Sequence, residues 1–170
     1  MSRLPRTLKM MNVFVNGESF AGEAQTVTLP PLTRKVESMT LNTGFDVELD
    51  MGNEVLVLGH KYAGRVPPEI LAGYGAPGLG SQMVRFAGGY QDQDTGANEL
   101  HEIVVRGSHK EITPGDQKVG AVGEGEAQTT CTYYKHTVDG VVVIEIDMLT
   151  GLFLVGGVDR TAELRQFVGL

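Results

Sequence analysis

Three carboxylates take alternate positions in the run Phe45-Asp46-Val47-Glu48-Leu49-Asp50. On an extended strand, alternate residues share a face. Asp46, Glu48 and Asp50 then stand in one row, and Phe45, Val47 and Leu49 in the other. A carboxylate row could hold a hard cation or divide acid and base roles. Same-face neighbours lie about 7 Å apart, too far to grip one ion without further ligands. The plain alternative is the solvated face of a half-buried sheet. The row gains a different meaning if many copies surround one channel.

The other reactive residues give less. None of the four histidines, His60, His101, His109 and His136, has a second ligand at a metal-binding spacing, and the single Cys131 completes no zinc site. All four are expected in packing or surface roles. A nucleophilic Cys131 would need a nearby histidine and a lowered pKa. Within Thr129-Thr130-Cys131-Thr132-Tyr133-Tyr134, a buried small side chain is the expectation. There is no G-x-x-x-x-G-K-[ST] phosphate loop, no H-E-x-x-H pair and no G-x-S-x-G elbow. The segment Gly75–Ser81 has Gly78-x-Gly80 but no third glycine and no following helix pattern, so it reads as a loop. No catalytic residue, cofactor or metal is expected.

The chain that must position these residues has 170 of them, which suggests one domain, two being the alternative. A chain this long buries roughly 70% of its unfolded surface, so its core needs no disulfide or metal. Hydrophobic residues make up 41% and charged residues 21%, which argues against global disorder. The 23 glycines among short β-branched runs favour an all-β protein with many turns. A net charge of −7 disfavours binding of nucleic acid through its phosphates. The charge is uneven: Arg3, Arg6 and Lys9 open the chain with no acid among them, whereas residues 91–126 are strongly acidic. Attraction between copies and a plainly solvated surface both fit that pattern. One cysteine fits a reducing compartment. No segment has the length of a signal peptide's apolar run or of a membrane span, so a cytosolic product, or one released without a secretion signal, is expected.

Periodicity and turn residues predict the elements. Met11–Val15 is a strand closed by the hairpin turn Asn16-Gly17. A strand over 24–29 meets Pro30-Pro31, and extended structure resumes at 32–39. The acidic strand and the apolar strand 54–60 are expected to pair as one long hairpin over 42–61. Pro67 and Gly75 bracket a helix over 67–74. Strands over 81–87 and 101–110 follow, then a long, mobile, glycine-rich loop over 113–126. A hairpin turning at Asp139-Gly140 joins strands 129–138 and 141–147. A last strand is expected within 152–158 and a short helix over 161–168.

The stretch LPRTLKMMNVFVNGESFAG followed by TVTLPPLTRK resembles the opening of the major tail tube proteins of contractile-tailed phages, the phage tail tube protein FII family. RFAGGYQDQDTG, VVRGSHKEITPGDQK and the ending CTYYKHTVDG…EIDMLTG…GVDRTAELRQFVGL agree in the same order, over nearly the whole chain. The resemblance implies a structural protein and no enzyme. It implies a mainly β subunit, a β-sandwich or barrel with a protruding hairpin and one or two short helices, assembling into a hexameric ring. Rings stack into a hollow tube that conducts DNA and penetrates the envelope. The implied partners are further copies, sheath, tape measure, baseplate and tail terminator proteins, with transient passage of DNA and no stable membrane association. The implied location is the virion tail, assembled in the host cytoplasm. A headless contractile bacteriocin or related injection particle is the near alternative. A monomeric β-sandwich binding module is the alternative from another class.

In a ring, six copies of Asp46, Glu48 and Asp50 would line the bore and repel phosphates, while Phe45, Val47 and Leu49 pack on the core. Prolines lack the N–H that extends a ladder, so Pro30-Pro31 would redirect the chain and let Thr33, Arg34 and Lys35 face a neighbouring subunit or ring. The arm 1–10, with Arg3, Arg6 and Lys9, is expected to meet Asp116, Glu124 and Glu126 of the loop 113–126 in the next ring.

Overall fold

A computed structural model describes residues 3–170. Twelve strands and two short helices follow in order: β1 Arg6–Val15, β2 Glu18–Ser19, β3 Ala24–Thr28, β4 Arg34–Thr40, β5 Asp46–Asn53, β6 Leu56–Ala63, α1 Pro68–Ala72, β7 Gln82–Asp92, β8 Asn98–Thr113, β9 Glu124–Val138, β10 Val141–Asp147, β11 Leu152–Val155, β12 Val158–Asp159 and α2 Ala162–Val168. Ten strands form one antiparallel sheet in the order β12-β11-β10-β9-β8-β7-β1-β2, with β6 on β9 and β3 on β6. Strands β4 and β5 form a separate two-stranded sheet. The expected mainly β chain with two short helices is what the structure has. The expected sandwich or barrel is not closed by hydrogen bonds: β2, β3 and β12 each have a single strand neighbour.

The sheet wraps one core because β9 serves two strands along a single edge. Its first half, to Cys131, pairs with β6, and its second half, from Tyr133, pairs with β10. The changeover falls at Thr132, an extra residue opposite the Arg106–Gly107 step of β8. Such a bulge bends the strand and shifts its inward set. Ala127, Thr129 and Cys131 are buried before it, and Tyr134 after it. Gly107 makes this possible, since a Cβ there would lie 1.7 Å from the Thr130 carbonyl oxygen. Val13, Leu58, Tyr62, Ile70, Val84, Ile103 and Val105, from four strands and α1, then meet in one cluster.

The turn residues act as expected. Asn16 and Gly17 both have positive φ, 52° and 86°, and so do Asp139 and Gly140. These are the angles of tight hairpin turns. The expected pairing across 42–61 is not made. Strand β5 pairs with β4, from Thr40 opposite Asp46 to Arg34 opposite Asn53, while β6 lies between β3 and β9. An apolar strand with both neighbours in the core, such as β6, is claimed by the sheet rather than by the adjacent acidic strand. Pro30 and Pro31 stand where the chain leaves β3, and the Glu54 N–H bonds to the Thr33 carbonyl at the neck of the excursion. The two prolines thus separate a core ladder, β3–β6, from an outer ladder, β4–β5.

The expected N-terminal arm is also revised. Residues 6–10 belong to β1, paired with β7, and residues 1 and 2 lie outside the described residues. The loop between β8 and β9 is shorter than expected, because Glu124 and Glu126 fall inside β9.

Candidate assembly surfaces

The β4–β5 hairpin has two unlike faces. Directly opposed residues share a face in an antiparallel pair. Ser38 is opposite Glu48, Thr40 opposite Asp46 and Val36 opposite Asp50, which gathers the acidic row on one side. Met39 is opposite Val47 and Glu37 opposite Leu49, which places the apolar residues on the other. Phe45 is 73% exposed and Leu49 45%. Met39, Leu41 and Met51 are exposed as well. The expectation that Phe45, Val47 and Leu49 pack on the core therefore fails: Phe45 and Leu49 are exposed, Val47 is only half-buried, and none of the three joins the core cluster. A two-stranded hairpin alone in water is marginal, and one with a bare apolar face invites a partner.

The acidic row is not three free charges. Thr40 donates its hydroxyl to Asp46 at 2.7 Å. Asp50 accepts from Arg34 Nε at 2.9 Å and Nη2 at 2.8 Å, and from the Gly52 N–H at 2.9 Å. The Arg34 hydrogen bonds, then that of Gly52, hold the Asp50 carboxyl below its ordinary range. Glu48 stands opposite Ser38 and is exposed, with no ion-pair partner among the described residues.

Arg34 is the hairpin's anchor within its own chain. Besides Asp50 it donates to Asn53 Oδ1 at 2.6 Å, and its guanidinium lies 5.2 Å from the centre of the Phe153 ring on β11. Lys35 beside it sits at a register shift and is exposed. Arg6 is likewise engaged, with Asp92 and Glu99, so of the basic set Arg3 and Lys9 stay exposed without such partners. Among the acids, Glu124 pairs with Lys61 at 3.4 Å, and Glu126 lies in β9 beside Gln128. Asp116 is exposed in the loop.

Two histidine clusters escaped the linear reading, because only strand register unites them. His60 Nδ1 lies 2.7 Å from the Tyr62 hydroxyl, and Thr129 Oγ1 lies 3.3 Å from His60 Nε2 and 3.0 Å from His109 Nδ1. Burial, then the nearby His109, pushes His60 down to about 3, and burial lowers His109. His101 bridges Glu99 at 2.7 Å and His136 at 2.9 Å. No group of three or more metal-ligating side chains converges among the described residues. Cys131 is buried, with its thiol pushed up to about 12 by burial. That thiol is inert packing, as the surrounding threonines and tyrosines suggest. The exposure of Leu164, Phe167 and Val168 on α2 was not legible in the sequence either: the apolar strand β11 precedes the helix, yet no residue of α2 is buried.

Comparison with known proteins bears on these surfaces. Residues 5–169 match the family described as phage tail tube protein FII. The chain is 40% identical over 170 residues to the tail tube protein of Escherichia phage P2, covering 98% of this chain and 99% of that one. It is 30% identical over 155 residues to the major tail tube protein of Serratia phage KSP20, covering 88% and 87%. Its fold is similar to a chain of the sheath/tube terminator of an extracellular contractile injection system in the extended state, with a TM-score of 0.57 over 81% of this chain and 99% of that one, at 10% identity. A chain of the sheath–tube complex of that system gives the same TM-score over 78% of this chain and 91% of its own. A match that runs from β1 through α2 carries the hairpin, the open edges and the C-terminal helix together, and the chain belongs to the phage tail tube protein FII family.

Proposed function

We propose that this chain is the structural subunit of the inner tail tube of a contractile phage tail. Hexameric rings of it stack into a hollow conduit through which DNA passes and which penetrates the envelope. The observation that carries the reading is the β4–β5 hairpin: it leaves the core at Pro30-Pro31 with an acidic row on one face and bare apolar side chains on the other. A ring gives both faces a role. The apolar face is covered by neighbouring copies, and the row with Asp46, Glu48 and Asp50 turns to the bore. Phosphates then meet like charge and slide rather than bind. Open edges at β2, β3 and β12 are a liability in a monomer and a resource in a closed ring.

The role is structural and not enzymatic. The tube runs inside the sheath, its length is set with a tape measure protein, and baseplate and terminator proteins bound its two ends. The site of action is the virion tail, after assembly in the host cytoplasm. Lys35, Arg3, Lys9 and Asp116 are the charged contacts left for neighbours and adjoining rings. Arg6, Arg34, Glu124 and Glu126 act within the subunit. A tube of a headless injection particle uses the same subunit; adjacent genes for capsid and terminase separate the two.

Negative-stain electron microscopy of the purified protein, over a range of concentrations and with a baseplate complex as initiator, tests the reading. Rings or hollow tubes with six-fold end views are expected. Persistent monomers even with the initiator would favour a binding module instead.

A further inference from the structure

Helix α2 has seven residues and none of them is buried. Leu164 is 69% exposed, Phe167 91%, Val168 64% and Leu170 78%. A helix of this length does not persist alone in water. This one is tied to the body of the chain through Thr161 and Arg165 and capped at its end. Arg165 pairs with Asp159, and the Thr161 hydroxyl donates to the Gly151 carbonyl at 2.7 Å. Gly169, at φ 81°, closes the last turn, with the Leu170 N–H on the Arg165 carbonyl at 2.9 Å. The chain thus holds an apolar ridge out to solvent.

A receiving surface lies elsewhere on the same molecule. Ala87, Gly88 and Gly89 of β7 line a groove of 530 Å³ between Met10 of β1 and Leu100 of β8. Met10 is 81% exposed and Leu100 63%. Gly89 pairs with both Met10 and Leu100 and leaves the floor between them open, a Cβ there meeting only the Met10 carbonyl oxygen at 3.9 Å; a Cβ at Gly88 would meet the Phe86 ring at 2.7 Å on the core side. The groove and the ridge lie towards opposite ends of the strand order, β1–β7–β8 for one and beyond β12 for the other. Contact between them joins two copies head to tail and repeats, the heterologous kind that generates rings and stacks. Charge agrees. Glu163 stands one turn before Phe167 on the same helix side, and Lys9 adjoins Met10. Neither has an ion-pair partner among the described residues.

We propose that the α2 ridge of one copy seats in the Met10–Leu100 groove of the next, with Phe167 as its anchor. The setting rests on the tube reading, in which identical copies meet head to tail. The contact buries on the order of several hundred Å², less than the roughly 1,200 Å² of a stable interface, so it adds to the hairpin contacts rather than replacing them.

Disulfide trapping tests this cleanly, because the native Cys131 is buried and does not react. The double variant Leu100→Cys with Phe167→Cys, mildly oxidised, is expected to give a ladder of dimers, trimers and larger species on non-reducing gels. Each single variant, whose cysteine faces no cysteine across the contact, is expected to stay largely monomeric and cannot exceed a dimer. Phe167→Glu is expected to raise the assembly concentration about tenfold or more, with an unchanged melting curve, and Phe167→Leu to restore much of it. Tubes in the microscope with no ladder, or normal assembly of Phe167→Glu, would overturn the contact and leave the tube reading standing. If no tubes form at all, a ladder at high concentration upholds the contact while counting against the tube. No ladder there overturns the contact too.

Discussion

At the scale of residues, the protein depends on a few positions where chemistry and space are tightly matched. His60 is fully buried, beside His109 and between Tyr62 and Thr129. Burial lowers both histidines. They are neutral in the fold, whereas the unfolded chain takes up protons below about pH 6.5. Acid therefore favours unfolding: the stability is complete above about 6.5 and is lost as pH falls towards the folded pKa, about 3 for His60. Each such proton steepens the slope of unfolding free energy against pH by up to about 1.4 kcal/mol per unit. Urea unfolding between pH 7.5 and 4.5 should show a shallower slope for His60→Gln than for the native chain; equal slopes would show that this group does not titrate on unfolding. Gly107 is a second such position. Alanine there collides with the backbone of Thr130, which cannot yield without breaking β8 from β9. Gly107→Ala is expected to cost more than about 4 kcal/mol and to leave the chain insoluble. Gly80→Ala, whose Cβ would meet only Thr132 Oγ1 at 3.9 Å, should fold normally, and soluble yield distinguishes the two.

At the scale of elements, the proposed assembly makes the hairpin the part expected to differ between free and assembled protein. Its apolar face is exposed in the monomer, so Phe45→Ser with Leu49→Ser should shift monomer stability by less than about 0.5 kcal/mol. The same change should abolish assembly, as read by sedimentation. Loss of monomer stability instead would mean that the face packs on its own subunit. The sequence announced the acidic and apolar alternation of this strand and both hairpin turns at Asn16-Gly17 and Asp139-Gly140, because each is fixed within a few residues. It misassigned the partner of β5. Gly52-Asn53 resembles a turn, and β6 is the next strand, so local signals favoured that pair. The competition was decided by β9, far along the chain with Leu56 opposite Cys131 and Ala63 opposite Glu124, which together with β3 holds both edges of β6.

At the scale of the whole molecule, charge and closure act together. In the proposed ring, six copies of Glu48 turned inward would make the bore repel anions. Glu48→Lys tubes are expected to cosediment with a single-stranded oligonucleotide at low salt, and native tubes to leave it in solution. Indifference of both would place the row away from the bore. Closure of the proposed ring would also give a role to the large apolar side chains left exposed on the hairpin and α2.

The sequence by itself determined the strand-rich class, most turns, both helices, the lack of a recognised catalytic motif and, through its blocks from the opening LPRTLK to the closing VDRTAELRQFVGL, the family. These are local in origin: alternation, turn dihedrals and helix ends depend on neighbours a few residues away. Only the tertiary structure decided which strand β5 joins, that Arg6 and Arg34 are tied within the subunit, and that His60 meets His109. The same holds for the bare faces of the hairpin and α2. Those facts follow from register across strands far apart in the chain, and from which apolar surfaces the core has room to bury. Neither is written at any single position.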